Sequence, residues 1–338
     1  MALDLRRVGK GDLTRAGGKG ANLGELIRGG FPVPAGFVVS TAAYDRFVAA
    51  NHLAGLVPAA LREANGGATL RAAFERAPIP PAVERAVAAA YRALGSGPVA
   101  VRSSATAEDL PDAAFAGQQE TFLNIDGERE LIDAVRACWA SLWTDRAIAY
   151  RQRQAIEQET AKLAVVVQRM APAAAAGVMF TANPVTGARD EIVVDANPGL
   201  GEAVVSGLVT PDHFVLAKGS GRIKAARRGR REAIVRALPG GGTAQVAGDA
   251  ASGHPALPRP ALRELARLGA AIERHFGRPQ DVEWTWNGDR FFIVQARPIT
   301  ALPEPRRGAS DRRARLDVAA ELFAIRPYPF DLTTFTRA

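Results

Sequence analysis

The fold is decided by Gln280-Asp281-Val282-Glu283-Trp284-Thr285-Trp286, followed after Asn287-Gly288-Asp289 by Arg290-Phe291-Phe292-Ile293-Val294-Gln295-Ala296-Arg297. Both runs are rich in aromatic and β-branched residues, and the segment between them has turn composition. Together they predict two strands of an antiparallel β-hairpin. Four of the polar side chains in this hairpin are of kinds that bind metal ions or anions.

The pairing of the two strands determines whether these four side chains meet. Asp281 and Glu283 are two residues apart and share a face of their strand, as do Gln295 and Arg297 on the other. A two-residue Asn-Gly loop would put Glu283 and Gln295 on opposite faces. A three-residue loop through Asp289 would place Asp281 opposite Gln295 and bring all four together. We predict the second register.

The chemistry of these side chains favours a divalent cation. Two carboxylates and an amide oxygen are hard oxygen donors, suited to a Mg²⁺ ion that is shared with substrate phosphates. Spacing alone supports one alternative equally well, an ion-paired strand in which Arg297 neutralises the acidic residues.

Two cations earlier in the chain are placed where phosphate could be bound. Gly17-Gly18-Lys19-Gly20 opens a predicted helix with a lysine among glycines, where backbone N–H groups can approach a phosphate. The stretch is not a P-loop, because Gly20 follows the lysine where Ser or Thr is required, and a simple turn is the alternative. Arg102 ends a predicted strand and can direct its guanidinium at phosphate oxygens; the alternative is a surface ion pair.

Apolar periodicity predicts a mixed α/β chain without internal repeats. Helices are expected at 19–28, 81–94, 130–153 and 262–276, and strands at 37–39, 98–102, 163–168, 177–181 and 191–195. The small, polar and acidic stretch 103–117 is expected to be a mobile loop. The Gly/Ala/Pro-rich stretch 239–260 is expected to be a flexible surface excursion.

The length and amino-acid composition of the chain limit the classes of protein to which it can belong. The chain has 338 residues, of which 47% are hydrophobic and 23% charged, so we expect two lobes or one large unit. We find no run of about 18 apolar residues, and residues 1–12 lack the apolar core of a signal peptide. The expected protein is therefore cytoplasmic, with no membrane partner. The single cysteine, Cys138, excludes an internal disulfide and a cysteine-based zinc cluster.

The net charge of +8 is weak evidence for a nucleic-acid partner. Thirty-eight of the 43 basic residues are arginine, and the chain is also rich in Ala and Gly. The densest clusters, 222–236 and 306–315, are not interleaved with the aromatic residues on which a single-strand binder stacks bases. We expect no nucleic-acid partner; the contrary hypothesis predicts steeply salt-dependent binding to DNA or RNA.

Five motifs in order make the chain similar to a known family. They are Gly17-Gly18-Lys19-Gly20-Ala21-Asn22-Leu23-Gly24-Glu25-Leu26, Val101-Arg102-Ser103-Ser104-Ala105-Thr106-Ala107-Glu108-Asp109, Phe115-Ala116-Gly117-Gln118-Gln119-Glu120-Thr121, Gln280-Asp281-Val282-Glu283-Trp284 and Gln295-Ala296-Arg297-Pro298. Over nearly all its length the chain resembles the N-terminal ATP-grasp domain of the phosphoenolpyruvate synthase family, which includes pyruvate phosphate dikinase and rifampicin phosphotransferase. The first motif and the ending Arg297-Pro298-Ile299-Thr300 look closer to rifampicin phosphotransferases. One conservative departure is Ala114, where relatives often carry Ser.

The resemblance implies an α/β (α+β) fold of ATP-grasp type, in which two lobes clamp Mg-ATP. The implied domains are an N-terminal lobe at 1–185 with a mobile phosphate loop at 103–117, a C-terminal lobe at 186–300 with a metal-binding hairpin at 281–297, and at 301–338 a linker and the start of a missing or partner domain. The implied catalytic residues are Lys19, Arg102 and Arg297. The implied ATP-binding residues are Lys19, Arg102, Gly117, Thr121, Gln168, Glu283, Gln295 and Arg297, and the implied Mg²⁺ ligands are Glu283, Gln295 and Asp281.

The resemblance also implies a reaction. In this family ATP is split to AMP: its terminal two phosphates pass to a histidine on a separate swivelling domain, which delivers a phosphoryl group to pyruvate or to a small molecule such as rifampicin. None of His52, His213, His254 or His275 lies in the Thr-Ser-His-Ala-Ala-like stretch that carries the family's histidine. We therefore expect a dikinase-type phosphotransferase that is incomplete without a histidine domain, in cis or in trans. The alternative is a non-catalytic or regulatory ATP-binding module.

Overall fold

The computed structural model describes residues 1–63, 65–106, 120–248, 254–300 and 302–303. They form two compact units, one of Met1–Met170 with Ala237–Thr243, and one of Ala171–Arg236 with the described residues from Ala244 onward. Each unit combines a main antiparallel sheet with helices, which confirms the α/β (α+β) class. The lobes at 1–185 and 186–300 stay a prediction, and nearly all of the segment 301–338 lies outside the described residues.

The first unit is built on a five-stranded antiparallel sheet. Its strands, in the spatial order β1-β2-β5-β3-β4, are β1 (Ala2–Asp4), β2 (Gly36–Val39), β3 (Val99–Ala105), β4 (Thr121–Ile125) and β5 (Leu163–Arg169). Its helices are α1 (Leu13–Arg28), α2 (Thr41–Ala50), α3 (Val57–Ala60), α4 (Gly66–Arg76), α5 (Pro81–Ala93), α6 (Glu128–Ala140) and α7 (Asp145–Arg153).

The two faces of this sheet have different characters. Val101 and Val167 oppose each other on the face that joins the hydrophobic core of the helical layer, where Phe47 and Trp139 pack with ring centroids 4.8 Å apart. The other face contacts α1: a Cβ placed on Gly20 would lie 3.1 Å from a methyl of Val38. Because neighbouring residues of a strand alternate between faces, Arg102 and Ser104 of β3 and Gln168 of β5 lie on the α1 face.

The helix expected at 130–153 is in fact two helices. α6 ends at Ala140, a 3₁₀ turn covers Ser141–Trp143, and α7 begins at Asp145. The hydroxyl of Thr144 accepts the N–H of Ala147 at 3.2 Å, which caps the second helix. The expectation of one helix is wrong because apolar periodicity continues across the break, while the break depends on this cap.

The second unit is built on a six-stranded antiparallel sheet in the order β13-β12-β6-β7-β8-β9. Its strands are β6 (Ala175–Phe180), β7 (Glu191–Pro198), β8 (Asp212–Ala217), β9 (Ile223–Arg227), β12 (Gln280–Trp286) and β13 (Phe291–Pro298), and its helices are α8 (Glu202–Val205) and α9 (Arg259–Phe276). α9 lies close against one face: a Cβ on Gly269 would lie 2.6 Å from the sulfur of Met179.

The stretch 239–260, expected to be a flexible surface excursion, contains regular structure in its described part. β10 (Ala233–Ala237) and β11 (Thr243–Ala247) form a two-stranded sheet, and α9 already begins at Arg259. The turn between the strands belongs to the first unit, where Asn124 Nδ2 donates to the carbonyls of Leu238 at 2.8 Å and Gly242 at 2.7 Å. Residues 249–253 lie outside the described part. In the ranges that are described, no helix combines the length and apolarity needed to cross a membrane.

Candidate functional site

Lys19 lies at a break in α1. The backbone at Gly17 is not helical (φ 68°, ψ 173°), so Gly18 and Lys19 open a second helical segment. The Lys19 side chain is buried, and its Nζ donates to the carbonyl oxygen of Ser103 at 3.0 Å. The predicted placement of a lysine among glycines at a helix start is therefore found, and its ammonium group lies at the end of β3.

Arg102, Thr121 and Gln168 share one face of the five-stranded sheet. Thr121 on β4 is directly opposite Arg102 on β3, and Gln168 on β5 is opposite Ala100, two residues before Arg102. Directly opposed residues, and residues two apart on a strand, point to the same side of a sheet. Arg102 and Gln168 are buried and Thr121 is exposed; Gln168 Nε2 donates to the carbonyl of Pro34 at 3.3 Å.

The loop expected at 103–117 begins later than predicted. Ser103 and Ser104 continue β3, which ends at Ala105, and both side chains are buried. Residues 107–119 lie outside the described part of the chain, and the candidate phosphate-binding residue Gly117 is among them.

The hairpin of β12 and β13 pairs in a register that neither loop length predicted. Next to the turn Trp286 opposes Phe291, so four residues, 287–290, separate the strands. The register then shifts between Glu283 and Trp284, which makes Val294 an extra residue on β13. Beyond this bulge Glu283 opposes Gln295 and Asp281 opposes Arg297. The predicted pairing of Asp281 with Gln295 is wrong by two residues.

The bulge determines which side chains share a face. Ile293 opposes Trp284, and regular alternation from Ile293 would put Gln295 on the face of Trp284, away from Glu283. Val294 shifts the alternation by one residue, so Gln295 points to the side of Glu283. All four polar side chains therefore share a face as predicted, but through a β-bulge that the sequence analysis did not include.

Arg297 forms an ion pair with Asp281. Its Nε donates to Asp281 Oδ2 at 2.9 Å, and its Nη2 lies 2.8 Å from the same oxygen. Burial raises the pKa of Asp281; the positive charge of Arg297 opposes this rise, and the neighbouring Glu283 carboxylate adds to it. Asp281 is therefore ion-paired with Arg297, as the alternative interpretation of the hairpin expected. Glu283 and Gln295 face each other beside this pair.

Glu283 and Gln295 fit a Mg²⁺ ion by their chemistry and placement. The Cβ atoms of directly opposed residues are about 4.5–5.5 Å apart, close enough for a carboxylate oxygen and an amide oxygen to approach one ion. Within the described ranges no group of three or more His, Cys, Asp or Glu side chains could hold a metal. An ion at this pair therefore needs further oxygen ligands, from water or from a substrate.

The sequence analysis missed a buried polar group on the same sheet face. From Glu283 the row of opposed residues continues across the sheet through Val178 and Asp195 to His213. Asp195 Oδ1 lies 2.8 Å from His213 Nδ1, and both residues are buried, as is Asn197 two positions further along β7. The alternation of polar residues at 195 and 197, after the apolar run 192–194, is the signal that could have found them.

These residues define a class of protein. The first unit brings a buried lysine to the end of the strand that carries a buried arginine, and the second presents a carboxylate, an amide and an arginine on one sheet face. Paired cations suit phosphate oxygens, and a carboxylate with an amide suits a divalent cation that phosphates share. The combination is typical of a domain that binds a nucleotide through its phosphates.

Comparison with known proteins gives the family. Residues 13–317 match the family described as pyruvate phosphate dikinase, AMP/ATP-binding domain. The chain belongs to this family, which confirms the resemblance carried by the five motifs.

Curated relatives are phosphotransferases. The chain is 41% identical to a phosphoenolpyruvate synthase of Aeropyrum pernix, covering 89% of this chain and 42% of the relative. It is 44% identical to a rifampicin phosphotransferase of a Streptomyces species (94% and 38%) and 45% identical to one of Streptomyces sviceus (89% and 36%). The chain therefore spans about two fifths of the length of these relatives.

One solved structure shows a weak likeness. Acetyl-coenzyme A synthetase 1 of Ca. Korarchaeum cryptofilum, solved with coenzyme A and Ca-AMPCP, matches with a TM-score of 0.32 and 16% identity, over 63% of this chain and 80% of that one. A similarity this low adds nothing to the assignment.

Proposed function

We propose that this chain binds Mg-ATP and transfers the terminal two phosphates of ATP to a histidine on a separate swivelling domain, which leaves AMP. The observation that carries the proposal is the contact of Lys19 Nζ with the Ser103 carbonyl at 3.0 Å. Because Ser103 directly follows Arg102, this contact brings the Lys19 ammonium group to the backbone next to Arg102, so two cations that suit phosphate lie at neighbouring positions of β3. Family membership and the phosphotransferase names of the relatives support the proposal.

In this proposal the predicted lobes at 1–185 and 186–300 clamp one nucleotide. Lys19 and Arg102 donate to phosphate oxygens, Thr121 and Gly117 belong to the loop over the phosphates, and Gln168 lies beside the adenine. Arg297 completes the clamp by exchanging part of its ion pair with Asp281 for a phosphate oxygen.

The chemistry asked of these residues is positioning and charge neutralisation. The bond between the β-phosphorus and the oxygen of the α-phosphate breaks, a bond forms from the β-phosphorus to an imidazole nitrogen of the histidine, and AMP leaves with the electron pair. Preorganised cations stabilise the charge that moves onto the leaving oxygen, and removal of one such donor typically costs about 2–4 kcal/mol in the barrier. A Mg²⁺ ion held by Glu283 and Gln295 would neutralise further phosphate charge when bound.

The final acceptor in this proposal is pyruvate or a small molecule such as rifampicin, as the names of the relatives suggest. The experiment mixes the chain with the part of a Streptomyces rifampicin phosphotransferase that follows its own matching domain, and measures AMP by chromatography. AMP that forms only when both parts and ATP are present supports the proposal. Binding of ATP without AMP or phosphohistidine would favour a regulatory module instead.

A further inference from the structure

We propose that Ser104 is a positioning residue for Lys19, which holds the ammonium group in a fixed place beside Arg102. This inference rests on the proposed role of both cations in binding ATP phosphates. Ser104 is fully buried at the end of β3. Its hydroxyl donates to the carbonyl of Ala16 at 2.9 Å and accepts the N–H of Gly20 at 3.2 Å.

The two backbone groups that bond to Ser104 would bond to each other if the helix were continuous. In an unbroken helix the carbonyl of Ala16 would accept the N–H of Gly20, four residues on. The hydroxyl of Ser104 stands between them and bonds to both, a known way in which an inserted side chain bends a helix. One side chain therefore satisfies both groups that the break in α1 leaves, and fixes the two helical segments relative to each other.

The backbone conformation of Gly17 and its lack of a Cβ leave room for the Ser104 side chain. Its φ of 68° is a conformation that L-residues other than glycine rarely adopt. A Cβ at position 17 would lie 2.2 Å from the carbonyl oxygen of Ser104 and 2.3 Å from its hydroxyl. The end of β3 thus docks into the break through backbone and side chain together.

This docking places Lys19 between two fixed points. Ser104 holds the backbone at Gly20, one residue after Lys19, while the carbonyl of Ser103 accepts the Lys19 ammonium at 3.0 Å. Arg102 precedes both serines on the same strand. A flexible lysine side chain loses much rotational entropy when it binds a ligand, and ordering it beforehand reduces that cost.

The experiment separates positioning from a general effect on stability. Affinities for ATP and for adenosine, which lacks phosphates, are measured by calorimetry on the full chain with Ser104→Ala. Loss of one well-made hydrogen-bond link predicts about five- to tenfold weaker ATP binding, with adenosine binding unchanged. The matched control is Ser141→Ala, a buried serine of the same unit whose hydroxyl donates to the Cys138 carbonyl at 2.7 Å; it should leave ATP affinity unchanged.

A double variant shows whether Ser104 acts through Lys19. In a Lys19→Met background, Ser104→Ala should weaken ATP binding no further, since the group that it positions is gone. An equal loss in both backgrounds, an equal loss for adenosine, or no loss at all would overturn the inference. If Ser104→Ala does not fold, Ser104→Cys, which keeps a weak donor of similar size, is judged by the same criteria. Failure of the wild-type chain to bind ATP would instead overturn the proposed function.

Discussion

Glu283 and Gln295 lie directly opposite each other on β12 and β13, immediately beyond the bulge at Val294. Between the bulge and the turn the pairing is shifted by one residue. There Trp284 opposes Ile293, and both side chains lie on the other face of the hairpin. The bulge therefore gives the part of the hairpin away from the turn a carboxylate and an amide on one face, within reach of one ion.

The first prediction concerns Glu283. Glu283→Gln removes the negative charge that would bind Mg²⁺, so the gain in ATP affinity on adding Mg²⁺ should fall by about tenfold or more. Titrations of ATP with and without Mg²⁺ measure this gain. Glu273→Gln is the control, because Glu273 is a glutamate of the second unit outside the proposed site, bonded to Lys218 at 2.9 Å. Equal Mg²⁺ dependence in both variants would remove Glu283 from the site.

The second prediction concerns Lys19. Lys19→Met keeps an unbranched apolar side chain but removes the charge, and a charge-assisted contact with phosphate predicts about ten- to hundredfold weaker ATP binding. The comparison is with Lys162→Met, since Lys162 forms an exposed ion pair with Asp45 at 2.9 Å in the same unit. ATP affinity that is the same in the two variants would contradict the role assigned to Lys19.

The third prediction compares two glycines with positive φ. Gly17 (φ 68°) is in contact with Ser104, whereas a Cβ on Gly30 (φ 73°) would meet nothing within 4 Å. Gly30→Ala should cost about 1–2 kcal/mol in the free energy of unfolding, from the backbone conformation alone. Gly17→Ala should cost about 1–3 kcal/mol more, because its ψ of 173° is a conformation almost restricted to glycine and because the end of β3 must also move. Urea denaturation measures both, and equal losses would show that the contact with Ser104 is not tight.

The fourth prediction is a pH dependence. Burial raises the pKa of Asp281 above its ordinary value of 3.8, so the folded chain holds this proton more tightly than the unfolded chain. The contribution of Asp281 to the free energy of unfolding therefore falls as pH rises from below 3.8 through the raised pKa. Asp281→Asn cannot titrate, so its stability relative to wild type should increase over that range. Urea unfolding of both proteins at several acidic pH values tests the sign, and a relative stability that decreases with pH would contradict it.

Local patterns in the sequence predict much of this fold. The strand at 163–168, the helix at 262–276 and the hairpin at 281–297 follow from short-range periodicity and turn composition, and β5, α9 and the β12–β13 pair confirm them. The helix at 130–153 fails as a single element because a capping interaction at Thr144 starts a second helix, and no loss of apolar periodicity marks the break.

Features that depend on distant residues are not visible in local patterns. Together, the bulge at Val294 and the four-residue turn put Glu283 and Gln295 on one face, as a three-residue loop was expected to do. The break at Gly17 is filled by Ser104, 87 residues further along the chain, as their hydrogen-bond network shows. Pattern analysis therefore reaches Lys19 and Arg102 as separate candidates, but only the tertiary contact joins them.

The central claim, that this chain binds Mg-ATP through Lys19 and Arg102 at β3, is tested most directly by calorimetric titration of the chain and of Arg102→Met with Mg-ATP. Arg92→Met serves as the control, since Arg92 pairs with Glu128 on the surface at 2.6 Å. The account predicts saturable binding of one nucleotide per wild-type chain and per control, and binding weakened at least about tenfold by Arg102→Met. No binding by the wild-type chain, or equal affinities in all three proteins, would contradict it.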